Sequence, residues 1–111
     1  MRACSFMTLA LAGVAVAGPV AATEVDEAAA DALLRRNACF RCHAIDREKI
    51  APAYREVAAK YKGNAEAEDI LLRHVTTRPT VKVEGQDESH PVLRAPTEAA
   101  VRNVLRFILS R

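Results

Sequence analysis

The chain contains a Cys-x-x-Cys-His pentapeptide at residues 39–43, and this feature constrains its fold more than any other. Two thiols at this spacing can add across the two vinyl groups of a haem and attach it covalently, while the adjacent imidazole falls beneath the iron. A small domain that carries such a group must fold around it. The pattern predicts one covalent haem c, attached through Cys39 and Cys42, with His43 as the proximal iron ligand.

A bare Cys-x-x-Cys pair has two other common uses, in thiol redox chemistry and in zinc sites. A zinc site needs a second pair of ligands at suitable spacing. The remaining cysteine, Cys4, lies in an N-terminal segment that has the pattern of a removable leader. The sequence therefore favours haem over zinc or thiol chemistry.

Residues 1–22 have the pattern of a secretory signal peptide. Arg2 is positively charged, residues 6–17 are apolar or small apart from one threonine, and residues 20–22 offer small side chains for cleavage. The apolar stretch is too short to cross a bilayer. We therefore expect export to the periplasm without stable membrane insertion, with cleavage after residue 22 and a cut after Ala17 as the alternative.

Removing residues 1–22 from the 111-residue chain leaves 89 residues, which suffices for one domain and is too few for two. We expect this single domain to span residues 23–111. A core of this size usually needs an additional staple, and a covalently bound haem supplies apolar area that the chain lacks. The 16 basic and 14 acidic side chains nearly balance, which does not indicate binding to nucleic acid.

Helical patterns occupy most of the predicted domain. Residues 23–37 are rich in alanine and leucine, and Thr23 with Asp26 resembles a capping box. A second helix is predicted to begin at Pro52 and to end before Gly63. A third is predicted over residues 65–75.

The last helix has the clearest pattern in the sequence. Thr97 is a good N-cap, and apolar residues follow at helical spacing. These apolar residues are Val101, Val104, Leu105 and Ile108. Residues 80–96, with mixed polar residues, one glycine and two prolines, are predicted to be irregular. The expected class is all-α, with three to four helices wrapped around the haem.

The order of these elements resembles a class I cytochrome c, and most closely the small bacterial cytochromes of the c551 (c8) type. A helix leads into the pentapeptide, Pro52-Ala53-Tyr54 opens the next helix, and an amphipathic helix ends the chain. The resemblance implies that the carbonyl of Pro52 accepts a hydrogen bond from His43 and that Tyr54 packs against the haem. It also implies that the terminal helices cross.

At that crossing the resemblance implies contact between Ala32, or a neighbouring residue, and Phe107.

The sequence departs from this family at the sixth iron ligand, which is a methionine in the loop before the last helix. The only methionines here are Met1 and Met7, both in the predicted leader. At the matching place stands His90, 47 residues after His43 and followed by proline. We therefore predict that His90 replaces the distal methionine, with His74 as a less favoured alternative and an open site as the third.

Three functions remain open from the sequence. The first is a periplasmic one-electron carrier that is not an enzyme, has a low potential because of bis-histidine ligation, and acts as a monomer with unidentified redox partner proteins. The second is a protein that binds or senses a small gas such as carbon monoxide at an open or displaceable sixth position. The third is a haem subunit of a larger redox complex.

Overall fold

The computed structural model of the chain describes residues 13–18 and 24–111. Within these ranges the domain is mostly helical, as predicted, and a two-stranded hairpin stands between the third and fourth helices. The helices are α1 (Glu27–Arg36), α2 (Tyr54–Lys60), α3 (Ala67–Thr76) and α4 (Glu98–Leu109), and the strands are β1 (Thr80–Val83) and β2 (Gln86–Ser89). None of the helices in these ranges is long and apolar enough to cross a membrane.

Helix α1 begins at Glu27, later than the predicted capping box implied. The carboxylate of Asp26 accepts a hydrogen bond from the backbone N–H of Ala29 at 2.9 Å, so Asp26 is itself the N-cap. Thr23, the other member of the predicted box, lies outside the described residues. The prediction thus identified the right segment but assigned the wrong role to Asp26.

Helix α2 begins two residues after the predicted start. Ala53 is the N-cap with extended backbone angles, and its N–H donates to the carboxylate of Glu56 at 2.9 Å. Pro52 therefore precedes the helix instead of occupying its first position. Its carbonyl lies outside the helical hydrogen-bond ladder and is available to a side chain.

The hairpin contradicts the expectation that residues 80–96 are irregular throughout. Its strands pair antiparallel from Thr80 with Ser89 to Val83 with Gln86. The two turn residues, Glu84 and Gly85, have φ angles of +50° and +83°, the left-handed pair that a two-residue hairpin turn requires. The strand pattern was missed because β2 is exposed along its whole length and carries no alternation of apolar residues.

The core forms where α1 and α4 pack against each other, as the resemblance implied. Ala30 is fully buried and Phe107 is 5% exposed, and both belong to one apolar cluster. Ala32, which was the named candidate for this contact, is exposed, so the small residue at the crossing is its neighbour Ala30. The predicted apolar face of α4 is confirmed, since all four of its members are buried: Val101, Val104, Leu105 and Ile108.

An ion-pair network ties α3 to α4 on the outside of this core. Glu68 accepts hydrogen bonds of 3.0 Å from both Arg102 and Arg106. Partial burial acts to raise the pKa of Glu68, but the two arginines outweigh it and hold the pKa below its ordinary value. The ionised carboxylate is therefore favoured by folding.

We expect Glu68→Gln to lower the free energy of unfolding by about 1 kcal/mol at pH 7, because the network is only partly shielded from water. A lowered pKa in the folded state gives stability that is present above the unfolded-state pKa and is lost as the pH falls through the folded-state value. Urea unfolding of the wild type and of Glu68→Gln should therefore give a difference in the free energy of unfolding at pH 7 that disappears in acid. The exposed Glu66→Gln serves as the control, and an equal difference at both pH values would contradict the assignment.

Candidate haem-binding site

The predicted site residues all line one cavity, which has a volume of about 920 Å³. This volume lies near the upper end of the roughly 300–1,000 Å³ that cofactor pockets occupy. The cavity lies between the pentapeptide, α2, the end of α3, the hairpin and α4. The predicted residues at its wall are Cys39, Cys42, His43, Pro52, Tyr54, His74 and His90.

The two cysteines lie on a single short turn that follows α1. Residues 39–41 form one turn of 3₁₀ helix, and the N–H groups of Cys42 and His43 both donate to the carbonyl of Cys39. Cys39 and Cys42 are half-buried free thiols. Burial raises the pKa of Cys39, so its sulfur is held as the neutral thiol at neutral pH.

The imidazole of His43 is held by a backbone carbonyl and an aromatic ring. Its Nδ1 lies 2.7 Å from the carbonyl oxygen of Pro52, which can only accept, so Nδ1 carries the proton. Burial lowers the pKa of His43 and keeps the ring neutral. The lone pair of Nε2 is therefore left to bind a metal.

Tyr54 is buried, and its ring stacks on the imidazole of His43. The ring centres are 4.9 Å apart and the planes are inclined by 23°. Burial raises the pKa of Tyr54, so its hydroxyl remains protonated. The tyrosine thus contacts the histidine directly, in addition to lining the cavity.

His90 lines the same cavity as His43 and lies immediately after strand β2. Its backbone N–H donates to the carbonyl of Pro79 at 2.8 Å, which continues the hairpin ladder by one step. Its ring Nδ1 lies 2.8 Å from the carbonyl oxygen of Pro91, so this ring too has its proton on Nδ1 and a lone pair on Nε2. The ring centres of His90 and His43 are 6.4 Å apart.

His74 lies in the last turn of α3, and its ring packs directly against the ring of His90. Their ring centres are 4.3 Å apart and the planes are inclined by 55°. Burial lowers the pKa of His74, and the neighbouring His90 and His43 act in the same direction. The structure thus places all three histidines at one cavity, with His74 and His90 in direct contact.

Asn37 is a residue near the site to which the sequence assigned no role beyond the end of α1. Its side-chain amide forms a pair of hydrogen bonds with the backbone of Arg94, at 2.8 Å and 2.9 Å. An asparagine at the end of a helix usually indicates only a helix terminus. Nothing in the spacing of two residues 57 positions apart predicts their pairing.

These residues fit a covalently bound haem. Two thiols on one turn suit two vinyl groups, a neutral imidazole with a free lone pair suits the iron, and the cavity has the volume for a large cofactor. A helical domain with this donor set defines a c-type haem protein.

Comparison with known proteins agrees with this class. The family model described as cytochrome c matches residues 27–111, so the chain belongs to the cytochrome c family. Members of this family bind one haem c covalently through the Cys-x-x-Cys-His motif, and residues 39–43 supply that motif here.

Among curated relatives, cytochrome c-551 from Allochromatium vinosum is 41% identical over 56 residues, which are 50% of this chain and 60% of that protein. Cytochrome c-551 from Pseudomonas aeruginosa is 42% identical over 45 residues, which are 40% of this chain and 43% of that protein. The chain thus spans about half the length of these relatives. The resemblance to the c551 type is confirmed.

Two solved structures share the fold. The class 1 cytochrome MtoD from Sideroxydans lithotrophicus ES-1 is 42% identical, with a TM-score of 0.74 over 78% of this chain and 97% of that one. Cytochrome c552 from Nitrosomonas europaea is 21% identical, with a TM-score of 0.56 over 72% of this chain and 96% of that one. The second similarity supports the fold alone.

Proposed function

We propose that this protein is a periplasmic one-electron carrier whose single haem c has two histidines as axial ligands. Cys39 and Cys42 form the thioethers, His43 is the proximal ligand, His90 is the distal ligand, and Tyr54 packs beside the haem. Residues 1–22 act as the export signal and residues 23–111 form the cytochrome domain. The observation that carries the proposal is the spacing of the two imidazoles across the cavity.

That spacing agrees with two imidazoles bound to one iron. A bond between a metal and an imidazole nitrogen is about 2.0 Å, and the ring centre lies about 1.2 Å beyond that nitrogen, so facing ligands have ring centres roughly 6.3 Å apart. His43 and His90 are separated by 6.4 Å. Each ring also has Nδ1 bound to a carbonyl and Nε2 free, the tautomer that a ligating histidine needs.

The same distances favour His90 over His74 as the distal ligand. Rings 4.3 Å apart are too close to face each other across an iron, so His74 and His90 lie on one side of it. Only one of them can complete the coordination opposite His43. His90 has the matching separation from His43, and its position is fixed by the hairpin ladder.

This arrangement suits electron transfer without substrate chemistry. The haem supplies the exchange of one electron between Fe(III) and Fe(II). The chain fixes Nδ1 of each imidazole to a backbone carbonyl and lines the cavity around them with apolar residues such as Leu71, Leu93 and Leu105. Because an imidazole favours Fe(III) more than a thioether does, the reduction potential should lie below that of a relative with a distal methionine.

Visible spectra of the purified protein, oxidised and reduced, with and without carbon monoxide, test this function. We expect six-coordinate low-spin iron in both states and slow or incomplete reaction with the gas. A high-spin spectrum with rapid carbon monoxide binding would contradict it and would favour the gas-binding function instead. Copurification with a catalytic subunit would indicate a haem subunit of a larger complex.

The covalent attachment has its own test. Mass spectrometry after extraction with acidic acetone should find the polypeptide heavier by one haem. Cys39→Ala or Cys42→Ala should sharply lower the yield of holoprotein, because the small core loses its anchor. Cys4→Ala is the matched control and should leave the yield unchanged. A haem that is fully extracted from the wild-type protein would overturn the assignment.

A further inference from the structure

We propose that Asn37 is a positioning residue that keeps His90 on the iron and so sets the rate at which the sixth position opens. This inference rests on the proposed role of His90. It assigns to one side chain the connection between the segment that carries the thioethers and the segment that carries the distal ligand.

Asn37 joins these two segments through its side-chain amide. Its Nδ2 donates to the carbonyl of Arg94 at 2.9 Å, and its Oδ1 accepts from the Arg94 N–H at 2.8 Å. The same Nδ2 donates to the carbonyl of Leu33 at 2.9 Å, which fixes the amide on the last turn of α1. Cys39, the first thioether cysteine, follows Asn37 by two residues in the chain.

The distal segment, residues 90–94, is held at both of its ends. At its start, the N–H of His90 donates to the carbonyl of Pro79. Near its end, the N–H of Leu93 donates to the carbonyl of Val75, one residue before Arg94. At its last residue, the backbone of Arg94 forms two hydrogen bonds with the side-chain amide of Asn37. Movement of this short segment carries His90 away from the iron, and that movement breaks one or more of these connections.

Among these connections, the amide pair is the one that a side chain makes. The bonds to Pro79 and Val75 join backbone groups on both sides and survive most substitutions. Removing the amide of Asn37 takes away one of the two connections at the far end of the segment, while the Leu93 bond, the hairpin and the haem anchor remain. The expected consequence is faster dissociation of His90, with the resting coordination unchanged.

The chain contains a matched control for this substitution. Asn103, in α4, makes the same pair of bonds with a backbone: its Nδ2 donates to the carbonyl of Asp26 at 2.8 Å, and its Oδ1 accepts from the Asp26 N–H at 2.9 Å. This pair joins α4 to the start of α1 and does not touch the distal segment. Asn103→Ala therefore loses a similar pair of hydrogen bonds without releasing His90.

The experiment measures the binding of carbon monoxide to the reduced holoprotein by stopped flow. At high gas concentration the rate reaches a limit set by dissociation of the distal histidine. We expect this limiting rate to rise about tenfold in Asn37→Ala, since both hydrogen bonds to Arg94 are lost, and to change less than twofold in Asn103→Ala. Asn37→Asp keeps the acceptor for the Arg94 N–H and should give a rate between those of the wild type and Asn37→Ala. This variant also tests the inference if Asn37→Ala accumulates poorly.

The outcomes separate this inference from the proposed function. Equal acceleration in Asn37→Ala and Asn103→Ala would reflect general destabilisation and would overturn the role of Asn37. Unchanged rates in Asn37→Ala, or in Asn37→Asp where only that variant is obtained, would overturn it as well. A wild-type rate that grows with gas concentration without a limit would show that His90 is not bound, which overturns the proposed function and this inference together.

Discussion

His90→Ala should convert the low-spin protein into a high-spin protein that binds carbon monoxide rapidly in the reduced state. The ring centres of His90 and His43 are 6.4 Å apart, and Nδ1 of His90 binds the Pro91 carbonyl, which leaves Nε2 available to the iron. Removing the imidazole leaves the iron with one axial ligand, because the chain has no methionine outside residues 1–22. Visible spectra with and without the gas measure the change directly.

His74→Ala is the matched control, since it removes an imidazole from the same side of the same cavity. The ring of His74 contacts the ring of His90, and it is His90 whose ring centre lies 6.4 Å from that of His43. We expect this variant to remain low-spin. If His74→Ala opens the iron and His90→Ala does not, the two histidines exchange roles. If the wild type is high-spin and neither variant changes its spectrum, the sixth position was open from the start.

His90→Met should raise the reduction potential by a few hundred millivolts, on the order of a third of the roughly 0.8 V range that axial ligands control. A thioether stabilises Fe(II) relative to Fe(III) more than an imidazole does. The surrounding backbone is the same, because the hydrogen bond from the N–H of residue 90 to Pro79 does not depend on the side chain. A redox titration followed by visible absorption gives the potential.

His74→Met places the same thioether on α3 and should leave the potential within a few tens of millivolts of the wild-type value, a small part of the roughly 0.8 V range available. Equal increases in the two methionine variants would indicate that the potential responds to cavity polarity instead of ligation. An unchanged potential in His90→Met with low-spin iron would contradict ligation by residue 90.

The sequence was most informative where a local pattern carries the chemistry. Residues 39–43 predict the haem from their spacing alone, and the cytochrome c family match confirms the cofactor. The apolar spacing in α4 predicts its buried face, because a helix repeats every 3.6 residues regardless of its partner. The boundary and roles assigned to residues 1–22 fall largely outside the described residues and stay predictions.

The sequence was less informative where structure depends on distant partners. The hairpin escaped prediction because its exposed strand carries polar residues only and its turn is marked by a single glycine, Gly85. Ala30 and Ala32 are alike in sequence, and only the packing of α4 separates the buried residue from the exposed one. The pairing of Asn37 with Arg94 follows from the folded path of the chain and has no local signal.

The central claim, one haem c held between His43 and His90, is tested most directly by a crystal structure of the oxidised holoprotein. The account predicts thioether bonds at Cys39 and Cys42 and two Nε2 atoms at about 2.0 Å from the iron, one from each histidine. Iron coordinated by His74 or by water at the sixth position, with His90 turned away, would contradict it.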